Sequence, residues 1–155
     1  MTDYAAALTR LPVPEPFDAD RFVEAVAIQR GRPILLRSLT ERVANGACGL
    51  LLRRATDDVI FVHETGDSMR RSLIVAHEIA HLVLDHGRDQ ELHIGIAQFL
   101  AGAIVDGGPE DVVRARTNYT QAEERDAEIL ARKIVAGRRR TRHGDPVIAR
   151  LLEHL

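Results

Sequence analysis

Hydrophobic positions near the start of the chain indicate one helix, preceded by a segment without a regular pattern. Residues 1–17 contain three prolines and predict an extended arm. Asp18 or Asp20 then caps a predicted helix that reaches about Arg30 and stops at Gly31. Its apolar face is made of Phe22, Val23, Val26 and Ala27.

Three apolar runs rich in Ile, Leu and Val follow this helix and predict strands over 33–39, 48–53 and 59–63. A turn over 55–58 separates the last two runs, so the strands predict a small, mainly antiparallel sheet. Cys48, in the second run, is expected to be a small buried hydrophobe.

The pattern becomes helical again at Asp67 or Ser68, either of which can cap a helix running to about Asp85. Gly87 is expected to end this helix. Its centre, residues 73–84, is apolar on nearly every side, which is typical of a helix buried in the core.

Three further helices are predicted towards the C-terminus. The first covers 94–106 and precedes a Gly-Gly-Pro break at 107–109, and the last covers 146–153. The middle helix begins near Thr120 and stops by Gly137. Its apolar face is made of Ala127, Leu130, Ala131, Ile134 and Val135.

These elements predict an α+β fold in which a small, mainly antiparallel sheet packs with helices. The length of 155 residues suits one domain over 1–155, and the content of 45% hydrophobic and 28% charged residues is typical of a globular protein. We find no internal repeat and no domain boundary in the pattern.

Composition excludes several classes of protein. A single cysteine rules out a disulfide framework and a thiolate zinc site, and it favours a reducing compartment. The net charge of −2 and the aromatic content of 4% give no sign of direct nucleic-acid binding. No apolar stretch reaches the ~20 residues of a membrane span, and the N-terminus lacks the pattern of a signal peptide. We therefore expect a cytoplasmic protein without a membrane partner, and we interpret the basic run at 138–142 as a solvated loop.

The most informative segment is His77-Glu78-Ile79-Ala80-His81, an HExxH motif inside the predicted buried helix. Residues four apart on a helix differ by ~40° in direction, so His77 and His81 project from one face and can bind one Zn²⁺. Glu78 lies beside them, where a carboxylate can take a proton from a water on the metal. A charged side chain on an otherwise apolar helix is costly without such a role.

The motif leaves the third metal ligand open. The extended HExxHxxGxxH pattern fails, because Leu84 and Gly87 occupy its Gly and last His positions. His86 would lie on the opposite side of the helix from His77, if the helix continued that far, and we interpret it as a helix-terminal histidine near the C-terminal dipole. The helix beginning near Thr120 offers four carboxylates, Glu123, Glu124, Asp126 and Glu128. Spacing alone leaves both Glu123 and Glu124 open, although we interpret Glu123 as a first-turn acid favoured by the helix dipole.

Two segments resemble the ImmA/IrrE-type metallopeptidases. Residues 70–84, with the sequence RRSLIVAHEIAHLVL, look like the active-site helix of that family. Residues 124–131, with the sequence ERDAEILA, are similar to its second motif, roughly E-x-(E/D)-A-x-x-(F/L)-A. The resemblance implies a zincin-like minimal protease domain with Glu124 as the third zinc ligand.

The resemblance also implies a function, a zinc-dependent endopeptidase that cleaves a helix-turn-helix repressor in a prophage, mobile-element or stress-response locus. Two alternatives remain open. One is a regulatory or toxin-type module that docks a repressor or antitoxin with little or no turnover. The other is a zinc hydrolase acting on a small substrate, which a deep, closed pocket beside His77 would favour over an open groove.

In the expected mechanism, Zn²⁺ held by His77, His81 and Glu124 activates a water, and Glu78 accepts its proton and passes it to the leaving amine. A donor should stabilise the oxyanion. The sequence offers three conceivable donors, Tyr119, His63 and His143.

Overall fold

The computed structural model describes residues 2–39, 49–64, 66–87, 114–116 and 119–136, the segment 114–116 by its backbone alone. The predicted helices over 94–106 and 146–153, the break at 107–109 and the basic run at 138–142 lie outside this part, as do Cys48 and His143. In chain order the elements are α1 (Tyr4–Arg10), α2 (Ala19–Arg30), β1 (Ile34–Leu39), β2 (Gly49–Arg53), β3 (Asp58–His63), α3 (Ser68–Val83), β4 (Arg114–Arg116) and α4 (Gln121–Ala136).

The prediction of an extended arm over 1–17 is wrong for its first part, where α1 forms. Asp3 caps this helix, its carboxylate accepting a hydrogen bond from the Ala6 amide at 2.9 Å. Three consecutive alanines follow the cap, and alanine is the strongest helix former. The prolines begin only at Pro12, after α1 has ended.

Helix α2 agrees with its prediction, and Asp18 is the residue that caps it. The Asp18 carboxylate accepts a hydrogen bond from the Arg21 amide at 2.8 Å. Gly31 ends the helix at φ 63°, a left-handed conformation that costs glycine little. The buried face contains Phe22, Val23 and Val26, as predicted.

The sheet is mixed, with the strand order β1-β3-β2-β4. Strands β2 and β3 form the predicted antiparallel hairpin, and β2 also pairs antiparallel with β4, a strand that we did not predict. Strand β1 pairs parallel with β3, beginning at Ile34 opposite Asp58. The structure is therefore α+β, with one parallel pairing beside two antiparallel ones among the described strands.

Helix α3 lies at the centre of the described structure. It packs against strands β2 and β3 and against helices α2 and α4. Asp67 caps it by accepting hydrogen bonds from the amides of Met69 and Arg70 at 2.9 and 3.2 Å. Val75, Ala76, Ile79 and Ala80 are fully buried, so the predicted core helix is confirmed.

Helix α4 packs along α3 and buries the five apolar residues that its pattern predicts, Ala127, Leu130, Ala131, Ile134 and Val135. Helix α1 also contacts α4, and Thr2 and Tyr4 donate hydrogen bonds to the Asp126 carboxylate. The N-terminal segment therefore holds this carboxylate. None of the described helices is long and apolar enough to cross a membrane.

Candidate metal centre

Helix α3 brings the two histidines of the HExxH segment together on one face. Their Nε2 atoms are 3.0 Å apart, and the two rings meet nearly edge to face with an interplanar angle of 83°. The His81 side chain is fully buried, whereas that of His77 is 27% exposed. The pair therefore opens towards solvent through His77.

Helix α4 brings Glu124 to the same point. Its Oε2 lies 3.1 Å from His77 Nε2 and 3.7 Å from His81 Nε2. The three ligand atoms lie within 4.8 Å of one another, so His77, His81 and Glu124 could hold a metal ion. Both histidines and Glu124 thus take the positions that the motif and the resemblance predict.

Glu123, which the spacing leaves open as a ligand, caps the start of helix α4. Its Oε1 accepts a hydrogen bond from the Thr120 amide at 3.1 Å, and the Thr120 hydroxyl accepts one from the Glu123 amide at 3.1 Å. This reciprocal pair is a capping box at the start of α4. Glu123 Oε2 also accepts a hydrogen bond from the Gly87 amide at 2.8 Å, which joins α4 to the segment after α3. Both carboxylate oxygens of Glu123 therefore accept hydrogen bonds from backbone amides outside the ligand cluster.

The ionisable side chains of this cluster have shifted pKa values, and each shift has a physical cause in the site. The hydrogen bond from His77, with the imidazole of His81 close by, holds the pKa of the Glu124 carboxyl far below its usual range. Burial lowers the pKa of His81 to about 4, so its imidazole is neutral at physiological pH. For His77 burial acts in the same direction, but the hydrogen bond to Glu124 and the charge of Glu78 outweigh it and raise the pKa. The site therefore combines an ionised carboxylate with a neutral imidazole at His81, the states in which these groups bind metals.

Glu78 is buried within the same region and is only 5% exposed. Its Oε2 has no hydrogen-bond partner among the described residues. Burial raises the pKa of Glu78 to about 7, partly opposed by the nearby charge of His77. A carboxylate with this pKa exchanges protons readily near neutral pH, as a general base must.

Gly49, which is not among the residues predicted to form the site, makes room for Glu78. A Cβ atom at Gly49 would lie 2.6 Å from Glu78 Oε1 and 2.9 Å from Ile74 Cγ2, both closer than atoms can pack. Gly49 begins β2, so the lack of a side chain there lets the first residue of the strand approach the carboxylate. A glycine at a strand end can indicate such an approach.

His86 lies just beyond the end of α3, as expected of a helix-terminal histidine, and the helix does not continue far enough to place it on the opposite side. Asp85 adopts a left-handed conformation with φ 56°. The amide of His86 donates to the His81 carbonyl at 3.0 Å, and that of Asp85 donates to the Leu82 carbonyl at 3.3 Å. These two bonds define a Schellman motif, which turns the chain back across the last helical turn. His86 is consequently buried against His81, and their Nδ1 atoms are 3.0 Å apart.

Of the three candidates for oxyanion stabilisation, Tyr119 is the one that the described contacts place beside the cluster. Tyr119 stacks on the His81 ring with 3.5 Å between centroids and an interplanar angle of 9°, so it belongs to the surroundings of the cluster. His63 ends β3 opposite Leu39, and none of the described contacts joins it to the ligand atoms. His143 lies outside the described residues.

The fold and the cluster define a class, an α+β protein with a candidate His-His-carboxylate metal centre formed by its central helix and by α4. Comparisons with protein-family models, with curated proteins and with solved structures gave no match to this chain.

Proposed function

We propose that the protein is a zinc-dependent endopeptidase. The observation that carries this proposal is the buried Glu78, whose Oε2 has no hydrogen-bond partner among the described residues and whose charge interacts with those of His77 and Glu124. A buried carboxylate oxygen without a partner is costly, and a site that only binds a metal does not require one. A site that hydrolyses a substrate does require such a carboxylate, as its general base.

The donor set supports zinc as the metal. Two imidazoles and one carboxylate form one of the ligand sets of catalytic zinc, which leaves a fourth position for water. Tetrahedral bonds of 2.0–2.1 Å require ligand atoms about 3.3 Å apart. The observed separations of 3.0, 3.1 and 3.7 Å lie on either side of that value. When bound, the ion supplies Lewis acidity, which lowers the pKa of a coordinated water and polarises a carbonyl oxygen.

The chain's own residues then have distinct tasks. Glu78 accepts a proton from the attacking water at a carboxylate oxygen, holds it inside the buried site, and delivers it to the leaving amine nitrogen. His77, His81 and Glu124 hold the ion, and the ring of Tyr119 packs on His81. Gly49 leaves the space in which the Glu78 carboxylate sits.

The surroundings of the cluster favour a polypeptide over a small molecule. Beside His77 the described residues leave a cavity of about 150 Å³, lined by Leu73, His77, Glu128, Ala131 and Arg132. Sites for small molecules usually enclose ~300–1,000 Å³, so this cavity suits a single side chain of a longer substrate. The partly apolar floor, formed by Leu73 and Ala131, suits an apolar side chain.

We take the substrate to be a helix-turn-helix repressor, and this step rests on the resemblance of residues 70–84 and 124–131 to the ImmA/IrrE-type metallopeptidases. A chain with such a substrate would act in the cytoplasm. The test is incubation of the zinc-loaded protein with the repressor encoded beside it, with cleavage followed by mass spectrometry.

Glu78→Gln provides the control, because it keeps the size of the side chain and removes the base. We expect the variant to retain zinc and to lose cleavage, and a chelator to stop the wild-type protein. Cleavage at the wild-type rate by Glu78→Gln would contradict the proposal. A stable complex with the repressor that forms equally with both proteins, without cleavage, would instead support the docking module.

A further inference from the structure

The pair formed by His81 and His86 is a built arrangement that the proposed mechanism does not use. Both side chains are buried, at 0% and 8% exposure. Their Nδ1 atoms are 3.0 Å apart, which is a hydrogen-bond distance. Two neutral imidazoles at this distance require that one ring donates its hydrogen and the other accepts it.

The helix end explains why these rings meet. In a Schellman motif the second residue beyond the cap often contacts the third residue from the helix end. Here these positions are His86 and His81, and the left-handed Asp85 between them turns the chain back. Arg53 of β2 braces the turn, because it donates hydrogen bonds to the Asp85 carboxylate at 2.9 Å and to the Leu82 carbonyl at 3.2 Å.

The other nitrogen of His81 faces the ligand cluster. Its Nε2 lies 3.0 Å from His77 Nε2 and 3.7 Å from Glu124 Oε2. A neutral histidine that donates through Nδ1 has its lone pair on Nε2, where a metal can take it. Ligating histidines commonly donate their second ring hydrogen to a nearby acceptor, which fixes both tautomer and ring orientation.

We infer that His86 is a positioning residue for the metal centre, accepting the hydrogen of His81 Nδ1 and so presenting the lone pair of His81 Nε2 to the ion. Stacking of Tyr119 on the His81 ring supplies the second restraint, because it holds the ring plane while His86 sets its rotation in that plane. The inference rests on the metal centre of the proposed function but requires no peptidase activity.

The first test uses the metal-free wild-type protein. Nitrogen-15 NMR of labelled histidines distinguishes ring nitrogens that carry hydrogen from those that do not. We expect His81 to carry its hydrogen on Nδ1. A His81 whose hydrogen resides on Nε2 overturns the inference without any variant being made.

A matched pair of variants tests the consequence for metal binding. His86→Asn keeps an acceptor at the δ position, whereas His86→Leu keeps a branched side chain without one. We expect His86→Leu to bind Zn²⁺ 10–100-fold more weakly than the wild type, a range typical of outer partners of metal ligands, and to lose the dominant Nδ1–H tautomer of His81. His86→Asn should restore most of both.

Equal zinc affinity in His86→Leu and the wild type, or an equal loss in His86→Asn and His86→Leu, would overturn the assignment of an acceptor role. Failure of the protein to cleave any repressor, with these zinc affinities as expected, would remove the proposed function and leave the role of His86 intact.

Discussion

Replacing Glu78 by glutamine is expected to stabilise the metal-free protein, and to do so increasingly as the pH rises. Glu78 is 5% exposed, and its Oε2 has no partner among the described residues. Burial raises the pKa of its carboxyl to about 7 from an ordinary value of 4.5. Glutamine has nearly the same size and carries no charge, so it removes the cost of burying the ionised form.

The magnitude follows from proton linkage. The folded state binds the Glu78 proton more tightly than the unfolded state, so the favourable contribution is complete below pH 4.5 and is lost as the pH rises through about 7. The full difference corresponds to ~3 kcal/mol. Between pH 5 and pH 8 the advantage of Glu78→Gln over the wild type should grow by about 2–3 kcal/mol, whatever constant offset the amide introduces.

The assay is urea unfolding in the presence of a chelator at pH 5, 6, 7 and 8. Glu24→Gln serves as the control, because Glu24 is an exposed carboxylate on α2 and its replacement should change the free energy of unfolding little at any of these pH values. A difference between Glu78→Gln and the wild type that stays constant from pH 5 to pH 8 would show that folding does not raise the pKa of Glu78.

Three further predictions concern the structure around the site. Gly49→Ala places a Cβ atom 2.6 Å from Glu78 Oε1, so urea unfolding should show a loss of about 1–3 kcal/mol and the rate of repressor cleavage should fall. Asp126→Ala removes the acceptor of the Tyr4 hydroxyl, so limited proteolysis should cut within α1 faster than in the wild type, and an unchanged cutting rate would contradict this. Zinc at 100 times its dissociation constant should stabilise the wild type by about 2.7 kcal/mol in thermal unfolding, and His77→Ala should abolish that gain.

Sequence patterns predict those helices and strands whose formation depends on interactions between residues close together in the chain. The capped helix α2 and the apolar face of α4 follow from residues within the elements themselves. Strand β4 does not, because its three residues form a strand only by pairing with β2. The parallel pairing of β1 with β3 likewise depends on contacts between distant segments. Helix α1 is a different case: the cap at Asp3 and the consecutive alanines favour a helix, whereas the prolines that follow favour an extended segment.

The site residues likewise include some that are placed by one helix alone and others that are placed by packing between helices. His77 and His81 are one helical turn apart, so the period of the helix alone brings them together. The choice between Glu123 and Glu124 depends on how α4 packs on α3, which spacing does not determine. The sequence held one usable signal, since Thr120 and Glu123 have the spacing of a capping box. That signal assigns Glu123 to the cap.

The position of His86 could not be read from helical periodicity, because the helix ends at Val83 and the chain reverses at Asp85. A left-handed conformation is uncommon for residues other than glycine, although aspartate tolerates it better than most. The glycine expected to end the helix, Gly87, lies two residues further on. A shift of this size in the helix end moves His86 from the far side of α3 to contact with His81.

We expect His77, His81 and Glu124 to bind one zinc ion together, and a zinc titration of Glu124→Ala beside Glu123→Ala distinguishes this ligand set from one without Glu124. The two glutamates are adjacent on α4, but only Glu124 faces the histidines, whereas Glu123 is held by Thr120 and Gly87. We predict that each wild-type chain binds one zinc ion and that Glu123→Ala leaves the zinc affinity nearly unchanged. Glu124→Ala should lower the affinity by at least ~100-fold, because loss of an outer partner of a ligand alone costs 10–100-fold. Equal zinc affinities in the two variants would contradict the account.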